Sequence, residues 1–271
     1  MGWLRGIGLV VVRLRHTAGT LLSRDIAVLT NAIAFNFLLC LFPLVVVVAS
    51  ISQQFPERRG GRAGTALLLL LQELIPFGRD AMAESLKNLT KIAKGIEALS
   101  LVLIVWGSSG IFMPVEMALN RAWGGRPHRD FWRSRGLAFL MTMAGGLLAL
   151  GSIALTIAAR SLSREMPVLA RYGAKASAFL LTYVLFFLIY RIIPDAPIRS
   201  RVALKAALWS AAAWEGVKYL FVIKLGQMNL QACYGPLALS VSLILWAYVS
   251  SLVLVFGALM TPVEPQARGR S

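Results

Sequence analysis

Glu116 and Asn120 stand four residues apart, with Trp123 three further on, at the end of a strongly apolar stretch. On a helix, positions i, i+4 and i+7 share one face. A carboxylate and an amide on that face could hold a cation, pass a proton or grip the polar part of a substrate. Within a bilayer an ionisable group costs about 2.5 kcal/mol or more unless it is paired or wet, so Glu116 demands a partner or water. Upstream, Pro114 cannot donate to the carbonyl of Gly110, and the resulting kink could line a cavity or be absorbed by neighbouring helices.

A second pair lies further along. Ala207, Ala211, Glu215 and Lys218 fall on one stripe of a later apolar stretch, where small residues let another helix come close enough to enclose the charges. Glu215 and Lys218, three apart, can neutralise each other. They read either as an ion pair fastening helices or as part of a substrate or proton pathway. Asn31 and Asn36 on the first apolar stretch raise the same question more weakly, since amides also serve as interhelical glue. The candidate pathway set is thus Asn31, Asn36, Glu116, Asn120, Glu215 and Lys218.

Arginines form a third group. Arg121, Arg126, Arg133, Arg135, Arg191, Arg199 and Arg201, with Arg129 among them, cluster between the hydrophobic stretches. They read as topology-setting residues that snorkel to the interface, or as a collar whose guanidinium forks match the phosphates of anionic lipid headgroups.

Bond-breaking chemistry has little to work with. His16 and His128 lie on separate segments and no HExxH, GxSxG or Walker pattern occurs, whereas metal-assisted hydrolysis wants carboxylates or histidines clustered around open metal positions. Cys40 and Cys233 build neither a disulfide framework nor a zinc pattern. No enzyme, metal or cofactor is expected, a ribonuclease least of all, and transport driven by nucleotide hydrolysis is disfavoured on the same ground.

The elements that must position these residues follow from composition. With 58% hydrophobic residues, 15% charged residues and a mean hydropathy of +0.70, the 271-residue chain has far more apolar surface than a water-soluble fold could hide. About 20 apolar residues make one crossing. Six runs qualify, near 26–52, 98–119, 136–159, 173–193, 202–226 and 237–261, which predicts an all-α polytopic bundle forming a single transmembrane domain over 1–261. The tail 262–271 is polar and reads as disordered.

The net charge of +16 would suggest nucleic acid if it formed one soluble patch, but it is dispersed between the spans, so no nucleic-acid partner is expected. With the N-terminus inside, fifteen of the 28 basic residues face the cytoplasm, and seven of the others sit in the single long loop 53–97, which weighs less in the positive-inside rule. Both termini are therefore expected in the cytoplasm, with insertion directed by the first span rather than by a cleaved signal. The loop 53–97 is too long to lack structure and should carry short helices on the outer face. Residues Trp3 to Leu22 read as an amphipathic helix: Trp3, Leu4, Ile7, Val10, Val11, Leu14, Ala18, Leu21 and Leu22 share a face opposite Arg5, Arg13 and His16, suited to anionic headgroups or to packing under the bundle. Gly145 with Ala149 fits internal packing or a homo-oligomer equally.

Ala32 to Pro43, Trp106, Ala118-Leu119-Asn120 with Trp123, Tyr190 to Pro194, Trp214-Glu215 with Lys218, Tyr234-Gly235, and Trp246 with Tyr248, Ser250, Ser251 and Gly257-Ala258 follow one another in a fixed order. In that order they resemble the YihY/virulence factor BrkB family of bacterial inner-membrane proteins, formerly mislabelled ribonuclease BN. The resemblance covers about 25–258. Two positions depart from it: Phe35-Asn36-Phe37 replaces a tyrosine pair, and Leu259 stands where the family carries a glutamate. The family implies an inner-membrane location, a role in envelope integrity and, in one branch, lipid export. Together with the charged spans, this sets the expectation of a transporter or flippase for a lipid or other amphiphilic envelope component, with a non-transporting envelope scaffold as the alternative.

Overall fold

The computed structural model describes residues 2–53, 97–125, 136, 140, 167–195, 198–227 and 230–261. Among these, all regular structure is helical: α1 Gly2–Leu21, α2 Arg24–Gln53, α3 Glu97–Trp123, α4 Pro167–Ile192, α5 Ser200–Gln227, the short α6 Leu230–Tyr234, a 3-10 turn Gly235–Leu237, and α7 Ala238–Met260. The expected outer helices of 53–97, the third apolar run apart from residues 136 and 140, and the tail 262–271 lie outside the described residues.

Two described helices, Lys175–Ile192 within α4 and Ala238–Met260, are long and apolar enough to cross a membrane. A third crossing is counted if α1 and α2 form one broken span, although their described parts, Val12–Leu21 and Arg24–Cys40, are bent by 70°. Helix α5 falls outside that class because Arg201, Lys205, Glu215, Lys218 and Lys224 punctuate it. The protein is an all-helical membrane protein.

The helix ends have identifiable causes. Gly124 takes the left-handed backbone (φ 70°), and Gly125 N–H donates to the Asn120 carbonyl at 2.8 Å, the six-to-one bond that closes a helix around a left-handed glycine. Helix α4 stops before Pro194, whose ring disfavours helical backbone at Ile193. Gly235 also takes the left-handed backbone (φ 52°), where the 3-10 turn ahead of α7 begins.

Packing centres on α7, which touches α1, α2, α3 and α5, while α2 pairs most extensively with α3 and α4 with α5. The start of α2, the end of α3, the end of α4, the start of α5 and the end of α7 meet at one end of the bundle, where Val115, Ala118, Leu119, Tyr190, Ala203, Ala206, Ala207, Val255 and Ala258 are buried. Helices α3 and α4 both finish here, and at about 1.5 Å per residue the 26 residues of α4 begin some 39 Å away. Six rings thread the bundle from this end. Trp123 meets Tyr190 edge-on at 5.6 Å, Tyr190 stacks on Phe186 at 6.0 Å, and Phe186 meets Trp214 at 6.3 Å. Trp214 then meets Trp246 at 5.2 Å, and Trp246 meets Phe221 at 4.9 Å. Such offset and edge contacts are the favoured aromatic arrangements.

The first helix differs from the amphipathic expectation in one respect. Its packed edge is Thr17, which is buried with its hydroxyl 3.5 Å from Met260 Sδ, together with Leu21 against the core. Leu14, Ala18 and Leu22, expected on the same face as Leu21, are exposed. At about 100° per residue Ala18 and Leu22 fall beside the packed edge, whereas Leu14 shares the register of Leu21 about two turns away.

Candidate functional site: a buried polar layer at the arginine-bearing end

Helix α3 brings Glu116 and Asn120 into the bundle as their spacing predicts. Both are buried, while Met113, Met117 and Arg121 form the exposed stripe of the same helix. The Asn120 side-chain carbonyl accepts the backbone N–H of Asp195 at 3.0 Å, joining α3 to the turn between α4 and α5. Its amide nitrogen is buried with no acceptor, a donor left over in a place where an unmade hydrogen bond costs about 1–3 kcal/mol. Trp123 continues the face, and its indole N–H donates to the Thr261 carbonyl at 2.9 Å, just past α7.

A hydroxyl pair lies alongside. Tyr190 Oη and Ser210 Oγ are 2.6 Å apart, with the Leu254 carbonyl 2.5 Å from the tyrosine hydroxyl and the Val253 carbonyl 3.0 Å from the serine hydroxyl. Two hydroxyl protons serve three contacts, so α4 and α5 are fastened together onto α7. Their closeness depends on small residues. Ala203, Ala206, Ala207, Ser210 and Ala211 are all fully buried on α5, and Gly257 faces them: a Cβ there would meet Ser210 Oγ at 2.0 Å, the Ala206 carbonyl at 2.6 Å and Tyr190 Oη at 2.8 Å.

The other expected residues divide. Glu215 and Lys218 form the expected ion pair at 2.7 Å, with the lysine side chain 16% exposed and the glutamate 41%, so the pair sits at the edge of the bundle. Asn36 is half-buried. Its amide N–H donates to the Ala32 carbonyl at 2.8 Å, and its carbonyl oxygen occupies the space a Cβ on Gly110 would need, which locks α2 onto α3 at the helix-perturbing glycine. Asn31 is exposed and joins neither the polar layer nor the ion pair.

Around this end the exposed cations among the described residues include Arg191, Arg199, Arg201, Lys205 and Arg24, together with Arg121, which is ion-paired with Asp25. Arg126, Arg133 and Arg135 lie outside the described residues. The Arg121–Asp25 pair is more than half exposed on both sides, where such pairs contribute little to stability, but it holds the end of α3 beside the start of α2.

Reading the residues alone missed the Tyr190–Ser210 node and the buried Thr17. A signal for the first was present: Ser210 falls among alanines at helical spacing, a pattern that marks close helix approach.

The chain is similar to proteins named UPF0761 membrane protein. The one from Chromobacterium violaceum is 26% identical over 239 residues, covering 86% of this chain and 57% of that protein. One from Legionella pneumophila is 26% identical over 255 residues, covering 90% and 60%, and one from Pseudoalteromonas translucida is 25% identical over 242 residues, covering 88% and 80%. The chain thus spans somewhat under two thirds of the length of the first two. No solved structure matches it. A family model described as Virulence factor BrkB matches residues 17–270, nearly the whole chain and all of the polar layer, and the chain belongs to that family.

Proposed function

We propose that this protein is a multi-pass transporter or flippase of the bacterial inner membrane, with both termini cytoplasmic, that moves a lipid or another amphiphilic envelope component. The observation that carries the reading is the burial of Glu116 beside Asn120, whose amide has an unused donor, at the end of the bundle where Arg191, Arg199 and Arg201 are exposed. Buried charge in a membrane helix is expensive and is retained for pathways or for fastening helices. Tyr190, Ser210 and Gly257 also fasten helices at this end. The exposed guanidinium groups suit the phosphate of an anionic headgroup, and the polar layer beneath them suits the same headgroup as it leaves the interface. With no nucleotide-binding motif in the sequence, movement would be passive or coupled to an ion.

Purified protein reconstituted into liposomes with fluorescent phospholipid and lipid A analogues tests this. Translocation by the wild type that is lost in Glu116→Gln, with the Glu215→Ala, Lys218→Ala double variant alongside it, is the expected result. No movement of any lipid by the folded wild type would overturn it and favour a non-transporting envelope scaffold.

A further inference from the structure

Helix α1 shows its sides unequally. One edge, Thr17 and Leu21, is fixed to the bundle. The next arc holds Leu14, Ala18 and Leu22, all exposed, Leu22 at 79%. The remaining arc carries Arg13, Arg15 and His16, also exposed. The first 24 residues contain four arginines and no acid. The next carboxylate in the sequence, Asp25, is paired with Arg121. An apolar arc is therefore uncovered, and the cations beside it have no carboxylate on their own element.

The 70° bend at Leu22 and Ser23 turns α1 away from the axis of α2, so with α2 running into the bilayer α1 lies nearer to its plane. Three cationic or titratable side chains within two turns, Arg13, Arg15 and His16, would all have to be buried if this segment crossed the membrane core. We infer that α1 is an interfacial helix that docks on an anionic lipid surface, with Leu14, Ala18 and Leu22 immersed at the boundary between headgroups and acyl chains and Arg13, Arg15 and Arg24 against the phosphates. Apolar immersion and attraction to anionic lipid add in such helices. Fixed at Thr17 to Met260, the docked helix seats the end of α7 at a set depth. The inference needs only that the protein resides in a membrane and is independent of whether it transports anything.

The test uses the full chain with Cys40→Ala and Cys233→Ser and a nitroxide on Leu14→Cys, Ala18→Cys or His16→Cys. Each protein is reconstituted into vesicles of phosphatidylcholine alone or with phosphatidylglycerol. Collision with lipid-soluble oxygen is compared with collision with a neutral, water-soluble nickel complex. Labels at 14 and 18 should favour oxygen several-fold over the label at 16. Phosphatidylglycerol should widen that contrast, and Arg13→Glu with Arg15→Glu should remove the widening. Equal accessibility at 14, 16 and 18, or a contrast indifferent to phosphatidylglycerol, would overturn the inference. So would a short dipolar distance between labels at 18 in protein-dilute vesicles, which would assign the apolar arc to a second copy of the chain.

Discussion

Gly257 on α7 faces the carbonyl of Ala206 on α5 so closely that a side-chain carbon on the glycine would lie 2.6 Å from that oxygen. Backbone cannot rotate out of the way as a flexible side chain can. Gly257→Ala should therefore push α7 off α5 and cost about 1–3 kcal/mol, the usual range for overpacking. Gly216→Ala, with nothing within 4 Å of the added carbon, is the matched control and should leave stability unchanged or slightly raised through better helix propensity. Melting temperatures of the two variants in detergent check this.

Tyr190→Phe and Ser210→Ala each remove one hydroxyl from a cluster of two hydroxyls and two carbonyls. Each should cost about 1–2 kcal/mol, the range for a hydrogen bond lost in a buried setting. Because the two hydroxyls share partners, the double variant should cost less than the two singles together. Strict additivity in a double-mutant cycle would mean that the hydroxyls act separately.

Glu215→Gln should destabilise the fold more than Lys218→Gln. The lysine is the more enclosed partner, and stripping the counter-ion from the better buried charge leaves the larger uncompensated cost. With the glutamate 41% exposed, the difference should be modest, on the order of 1 kcal/mol. The double variant should recover much of the loss, and thermal unfolding of all three reads the order.

Asn120→Leu should cost about 1–3 kcal/mol by leaving the Asp195 backbone N–H without its acceptor. Asn120→Asp keeps an acceptor in that position and should lose less stability than Asn120→Leu. Unfolding midpoints of the two variants check this, and an equal loss for both would mean that the Asp195 N–H does not depend on residue 120.

Much of the helical architecture was legible in the sequence because apolar length and helical period carry it. The runs around 26–52, 98–119, 173–193, 202–226 and 237–261 fall on α2, α3, α4, α5 and α7. The burial of Ala207 and Ala211, the pairing of Glu215 with Lys218 and the inward placement of Glu116 with Asn120 followed from spacing on single helices. Contacts between distant parts of the chain did not. Periodicity orients a residue on its own helix but does not choose its neighbour, so nothing joined Tyr190 to Ser210, Trp123 to Thr261 or Thr17 to Met260. Asn31, one residue beyond buried Thr30, faces away from that packing. For α1, helical spacing set Leu14, Ala18, Leu21 and Leu22 on one face, but which edge of it meets the bundle depends on Met260, more than two hundred residues away.

The position of α7 also sets a schedule. It is the last helix of the described chain to leave the ribosome, and it supplies the carbonyls that receive Tyr190 and Ser210, the glycine face for α5 and the methionine beneath Thr17. The α2–α3 and α4–α5 pairs can form as their helices are delivered, and Asn120 with Asp195 and Trp123 with Tyr190 can join them, but the seams against α7 close only afterwards. Until then a nascent chain carries unsealed polar seams through the bilayer, with Thr17, Trp123 and Ser210 waiting for partners that have yet to be made. Such long-range closure is slow relative to local helix pairing, so the interior of the described bundle is sealed last, by the helix made last.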